Sequence, residues 1–205
     1  MRQGPSPTTT ASQGPRSSGP TPTEAAALLD KAGWRKGPDG IRTKDGKKLT
    51  LRLVTYASRP DLSVIMQIMV SQLKQLGITS TTSVADDIVA TMNKGGYDLA
   101  VYAQHTAPTG DPSFFLNQFF RSGGANNLTG YSSKSTDALL DQLDAMTPGA
   151  ARDAKAVQIQ HQLHEDEALF YLVDPQWYVA LSQRVSAYQP YGGDYYIVDA
   201  DFGLR

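Results

Sequence analysis

Residues 49–84 read LTLRLVTYASRPDLSVIMQIMVSQLKQLGITSTTSV, and this stretch contains the clearest signals of secondary structure in the chain. Its first part, residues 49–56, alternates apolar and polar residues with the period of a β-strand, and a second strand is predicted over 78–84. Between them, apolar residues recur at steps of three and four from Leu62 to Leu76, which predicts an amphipathic helix packed on a sheet. Strand, helix and strand in so short a stretch form a βαβ unit with a right-handed crossover.

The alternation of helix and strand continues after this unit. Asp86 and Asp87 predict the start of a short helix, and an apolar strand is predicted over 97–103. A polar loop containing Pro and Gly follows, and then a helix with Pro112 in its first turn and four phenylalanines on its surface. Since ligands bind beyond the carboxyl ends of the strands in an open α/β sheet, the loop after the third strand is the predicted place for a binding site.

The domain limits are predicted from composition and from helix caps. Of the first 22 residues, 16 are Gly, Pro, Ser or Thr, so residues 1–22 are predicted to be a disordered tail. Thr23 is predicted to cap the first helix, which ends at Gly33. An α/β lobe is expected over 23–190, with 191–205 as a C-terminal tail.

Further helices and strands are predicted in the second half of the chain. Ser135 or Thr136 is expected to cap a helix over 137–146, and Pro148-Gly149 breaks the chain before a helix over 150–165. Two later apolar runs, at 168–173 and 177–181, predict buried strands.

Composition excludes several classes of function. The net charge of −1 gives no field that would attract nucleic acid, and the absence of cysteine excludes disulfides and thiolate catalysis. The longest apolar run, at 168–173, is too short to span a membrane, and the N-terminal residues lack the apolar stretch of a signal peptide.

The candidate catalytic and metal-binding side chains do not form a recognisable constellation. His161 and His164 are three residues apart, whereas the zincin motif needs a spacing of four. Asp111, before Pro112, is interpreted as a helix cap rather than as a triad member with His105. His105 remains open as a ligand contact or as a simple loop histidine. We therefore expect no catalytic residue, no metal site and no cofactor.

Short sequence motifs occur in an order that is typical of one family. Over residues 24–190 the chain resembles the family 5 extracellular solute-binding proteins, the peptide- and nickel-binding components of ABC importers. The motifs include residues 27–34 (ALLDKAGW), 45–49 (DGKKL), 72–78 (QLKQLGI), 97–99 (YDL), 110–112 (GDP) and 164–168 (HEDEA).

This resemblance implies a fold and a mode of action. The implied fold is a mixed sheet flanked by helices, a lobe like that of the type II periplasmic binding proteins, forming the C-terminal part of a two-lobed protein with ligand in the cleft. The implied function is binding of a small solute, an oligopeptide or a metal chelate, without turnover and outside the cytoplasm. An ABC permease is the implied partner, and self-association through an exposed cleft face is also expected.

The predicted ligand-binding residues lie in two loops. The alternatives to solute binding are a free-standing α/β protein-interaction domain and, less favoured, a hydrolase. The candidate ligand contacts are Gln104, His105, Thr106, Pro108 and Thr109 in the first loop and Asn126, Asn127 and Tyr131 in the second.

Overall fold

The computed structural model describes residues 19–107, 110–173, 175, 178–189 and 202. The chain divides into two compact units, one ending at Leu140 and the other beginning at Asp141. The first unit contains two sheets and most of the predicted site, and it is described first.

The first helix, α1 (Pro22–Lys31), begins earlier than predicted. Its cap is Thr21 rather than Thr23, because Thr21 and Glu24 form a reciprocal capping box and Pro22 occupies the first helical position, where a missing N–H costs nothing. A small antiparallel sheet follows, in the order β1 (Arg35–Lys36), β2 (Arg42–Lys44) and β3 (Lys47–Lys48). The sequence predicted its turns but only a single short extended piece.

Arg42 on β2 is a buried cation, with a side chain only 4% exposed. Its guanidinium donates to the Asp30 carboxylate at 2.7 Å and to the carbonyl oxygens of Trp34 at 2.6 Å and Leu76 at 2.7 Å. A longer bond of 3.2 Å reaches the Ala26 carbonyl. These bonds join the end of α1 to the turn that closes the next helix.

The predicted βαβ unit is confirmed. The strands β4 (Thr50–Tyr56) and β5 (Thr79–Ala85) are parallel and are connected by α2 (Pro60–Gln75). A short helix, α3 (Ile88–Lys94), then leads to β6 (Leu99–Ala100), which pairs in parallel with the other side of β4. The sheet order is therefore β5-β4-β6.

The third strand is much shorter than the predicted 97–103. Its pairing extends one residue beyond β6 at each end, since the N–H of Asp98 donates to Arg52 O and that of Val101 to Val54 O, both at 2.8 Å. Beyond this point the Val101 carbonyl accepts the Thr55 hydroxyl at 3.0 Å, and the ladder ends.

Helices cover both faces of the parallel sheet. On one face Leu53 and Val101 pack with Leu62 and Met66 of α2. On the other face Val54 packs with residues of α3, Ile88 and Met92. This double coverage explains why adjacent residues of β4 are both buried.

Three helices follow the sheet: α4 (Ser113–Phe120), α5 (Lys134–Asp144) and α6 (Ala150–Glu165). The helix predicted over 137–146 begins earlier, because Ser133 rather than Ser135 or Thr136 supplies the capping hydroxyl, at 3.4 Å from the Thr136 N–H. On α6 the buried residues Ala156, Ile159 and Leu163 form one stripe along the helix.

The strands predicted at 168–173 and 177–181 are wrong in the part of the chain that the structure describes. Residues 168–173 and 178–181 contain no strand, and Phe170 and Tyr178 are 63% and 66% exposed. Apolar runs form strands only when a neighbouring strand pairs with them, and none does so in the described ranges. Trp177 lies outside the described residues. A short 3₁₀ helix, Gln183–Val185, follows.

None of the helices in the described ranges combines the length and the apolar character needed to cross a bilayer.

Candidate functional site

The parallel sheet brings three chain segments to one edge. Because β4, β5 and β6 run in the same direction, their carboxyl ends lie together, followed by the β4–α2 turn, the β5–α3 turn and the loop that begins after Val101. This is the edge at which open α/β sheets bind ligands, and it places the first predicted loop where a site is expected.

The first loop is exposed in its described part. Gln104, His105 and Thr106 are all exposed and belong to no helix or strand, while Pro108 and Thr109 lie outside the described residues. At the end of the loop the Asp111 carboxylate accepts the N–H of Ser113 at 2.8 Å. The N-cap of α4 is Pro112, which has no capping side chain, so the prediction of Asp111 as the N-cap is wrong by one residue. Asp111 instead closes a turn onto the first helical residue, Ser113.

The second loop is organised by the Asn127 amide. Asn127 Nδ2 donates to the carbonyl oxygens of Arg121 at 3.0 Å and Tyr131 at 2.6 Å, and its Oδ1 accepts the Tyr131 N–H at 3.1 Å and the Thr129 hydroxyl at 3.3 Å. The Tyr131 hydroxyl lies 2.7 Å from the buried Thr136 hydroxyl. These polar groups hold the loop in shape, so Asn127 and Tyr131 have a structural role.

The Asn126 side chain makes fewer hydrogen bonds than the Asn127 side chain. Its side chain makes one long hydrogen bond, 3.3 Å from Nδ2 to Gln118 Oε1. Its backbone N–H donates to the Gln118 carbonyl at 3.1 Å, which fastens the loop to α4. Of the two asparagines predicted in this loop, Asn126 therefore has the side-chain amide that is more available to a ligand.

A row of aromatic rings connects the sheet edge with the second loop. Ring centroids are 5.6 Å apart for Tyr56–Tyr102, 6.5 Å for Tyr102–Phe119, 5.1 Å for Phe119–Phe115, 5.5 Å for Phe115–Phe120 and 6.3 Å for Phe120–Tyr131. We call these six residues the aromatic row. It fixes the position of α4, and so of both loops, against the sheet.

A hydrogen bond also joins the start of β6 to the second loop. The Tyr97 hydroxyl, just before β6, donates to the Leu128 carbonyl in the second loop at 3.1 Å. Burial raises the pKa of Tyr97, so its hydroxyl remains a donor at neutral pH. Asp137 adds a further bond, because its carboxylate accepts the Ser122 N–H at 2.9 Å, and this backbone bond lowers the pKa of Asp137.

The described residues bring together no catalytic constellation. No three metal-ligating side chains converge in the described ranges, and His161 and His164 are exposed on α6. The sequence analysis did not single out Tyr56 and Tyr102 at the sheet edge. Each is an aromatic residue at or just beyond the end of a strand, and that position was the available signal.

This fold and this edge define a class of protein. Residues 2–127 match the family described as bacterial extracellular solute-binding proteins, family 5 middle, and the chain belongs to that family. The match extends over the parallel sheet and reaches the second loop. The predicted type II binding-protein fold is confirmed by solved structures as well as by the sheet order.

Particular relatives sharpen the comparison. The chain is 28% identical over 177 residues to the nickel-binding protein NikA of Staphylococcus aureus. This match covers 86% of this chain and 34% of that protein. It is 26% identical over 176 residues to the oligopeptide-binding protein AppA of Bacillus subtilis, covering 81% and 31%. The chain thus spans about a third of the length of the relatives it matches.

Two solved structures share the fold. The S. aureus NikA structure, in complex with Ni(L-His)2, superposes with a TM-score of 0.67 at 27% identity, over 77% of this chain and 32% of that one. The B. subtilis AppA structure, in complex with a nonapeptide, gives 0.60 at 25% identity, over 71% and 30%.

Proposed function

We propose that this chain binds a small solute, a nickel chelate or a peptide, as part of the extracytoplasmic binding component of an ABC importer. The observation that carries the proposal is the carboxyl edge of the sheet, where the exposed loop at 104–106 follows β6 and the ring pair of Tyr56 and Tyr102. This arrangement supports binding, since exposed Gln, His and Thr side chains supply hydrogen bonds to a polar solute.

Binding without chemical change is part of the proposal. The relatives with printed functions are binding proteins for nickel and for oligopeptides, which supports binding without turnover. An ABC permease is the proposed partner, with the closed, ligand-bound form as the state that it recognises.

Affinity should be low for this chain by itself. The chain covers about a third of its relatives' length, and we propose that it supplies one wall of the pocket. One wall gives part of the contacts, while the full cost in translational and rotational freedom is still incurred. We therefore expect millimolar binding by this chain, about −4 kcal/mol.

An NMR titration tests this function. The ¹⁵N-labelled chain is titrated with Ni(II) in excess L-histidine and, separately, with a nonapeptide, each to about 10 mM, a level suited to millimolar affinity. Shift changes should cluster in the first loop and around Asn126, and be weakened by H105A. Mass spectrometry should recover the solute unchanged. Absence of saturable shifts with both probes, or consumption of a probe, would overturn the proposal.

A further inference from the structure

The aromatic row has phenylalanines in its interior and two tyrosines at the sheet edge. Its interior members, Phe115 and Phe120, are buried phenylalanines with no polar group. At the edge the row ends in two partly buried tyrosines, Tyr56 and Tyr102, whose rings lie 5.6 Å apart and are tilted by 50°. Phenylalanine would fill the same space, so the two hydroxyls are the feature that packing does not explain.

These two hydroxyls have no partner within the described residues. In that part of the chain the two side chains make ring contacts and pack on the apolar core, and neither hydroxyl makes a hydrogen bond. Neither oxygen is a buried unsatisfied group, so both reach solvent. Tyr97, which packs on the same side of the sheet, shows the contrast, since its hydroxyl donates to the Leu128 carbonyl.

Burial, rather than a neighbouring charge, is the main influence on Tyr102. Burial raises the pKa of Tyr102, and the only electrostatic contribution besides burial in the described ranges comes from the Tyr56 phenol. A pair of neutral phenols with apolar faces and free polar edges matches a neutral planar ring with a hydrogen-bonding edge. Ring contacts supply the apolar part of such recognition, and the hydroxyls supply its direction.

We propose that Tyr56 and Tyr102 form a subsite for a planar, unsaturated ring of the solute that carries a hydrogen-bonding edge, the chemistry of an imidazole. This inference rests on the proposed function, because it assumes that solute enters at the carboxyl edge of the sheet. It adds two specificity residues from β4 and the β6 loop to contacts predicted only in the loops at 104–109 and 126–131.

Tyrosine-specific NMR on the full chain tests the subsite. With ¹³Cζ-labelled tyrosine, the resonances of Tyr56 and Tyr102 are assigned by their loss in Y56F and Y102F. Addition of Ni(II) in excess L-histidine should shift both resonances, whereas Ni(II) in excess glycine, which lacks the ring, should shift neither. In each variant the affinity for the histidine complex should fall about five- to tenfold, the loss of one hydrogen bond.

Controls separate the outcomes. Y171F removes an exposed phenol in the other unit of the chain and should leave the affinity unchanged. Urea unfolding of Y56F and Y102F should match the wild type, since no internal hydrogen bond is lost. If the wild type binds the histidine complex and the variants bind it equally well, the subsite is wrong while the proposed function stands. If the wild type binds neither the complex nor the nonapeptide, both fall.

Discussion

The structural role of Asn127 predicts that N127D lowers the stability of the fold more than the same change at Asn126 does. The substitution N127D keeps the shape of the side chain but replaces Nδ2, a donor to two carbonyl oxygens at 3.0 and 2.6 Å, with an oxygen. Two hydrogen bonds are lost and two oxygen–oxygen repulsions appear. N126D makes the same chemical change where only one bond, of 3.3 Å, is lost.

The magnitude follows from these bonds. A hydrogen bond contributes about 1 kcal/mol, and a partly buried carbonyl left unpaired adds to the loss, so N127D should lower the free energy of unfolding by about 2–3 kcal/mol. N126D should cost about 0.5–1 kcal/mol by the same reasoning. Both substitutions add one negative charge in adjacent positions, so long-range electrostatics are matched.

Urea unfolding followed by circular dichroism measures both values at pH 7. The slope of free energy against urea should be the same for the two variants, which keeps the comparison within two-state behaviour. Equal destabilisation by N126D and N127D, or a greater effect of N126D, would refute the structural role of Asn127. Asn127 would then return as a candidate ligand contact.

Three further predictions test the ties that position the site. R42M should cost about 3–5 kcal/mol because it leaves three part-buried carbonyl oxygens and the Asp30 carboxylate, itself 43% exposed, without their donor, whereas R52M, at a 54% exposed side chain, should cost about 0–1 kcal/mol. Both costs are measured by urea unfolding, and similar costs would contradict the role of Arg42. Hydrogen bonds from Arg52 hold the pKa of Asp98 at about 2, below its ordinary value of 3.8. The stability that ionised Asp98 contributes is therefore present above pH 4 and is lost as the pH falls toward 2. D98N should remove this part of the acid sensitivity, and an unchanged acid profile would count against the Arg52–Asp98 ion pair. Y97F should cost about 0.5–1.5 kcal/mol and speed amide exchange around Leu128, and unchanged exchange there would show that the Tyr97 bond does not hold the second loop.

The elements with local signals could be predicted from the sequence. The alternation at 49–56 and the helical spacing from Leu62 to Leu76 specify the βαβ unit, because both periods arise from one face packing on a core. Gly33 was predicted to end α1, and both it and Gly77, which follows α2, have the positive φ that glycine permits, 90° and 83°.

Features that depend on distant partners could not be predicted in the same way. The apolar run at 168–173 has the composition of a strand, yet strand formation needs a neighbour that composition does not reveal. The same distinction between local signals and distant partners applies to the candidate site. The exposure of Gln104 to Thr106 follows from a polar loop after a strand, whereas the internal bonds of Asn127 and the pairing of Tyr56 with Tyr102, 46 residues away, exist only in the folded chain.

The position of β4 at the centre of its sheet has a consequence for synthesis of the chain. Its partner β5 follows after a single helix, but its other side is completed only by Leu99 and Ala100, through the register Leu53↔Leu99 and Val54↔Ala100. A nascent chain that has emerged only as far as α3 therefore displays one unpaired, apolar strand edge. Until Val101 donates to Val54 O, that edge of the growing polypeptide is open to mispairing and to capture by chaperones.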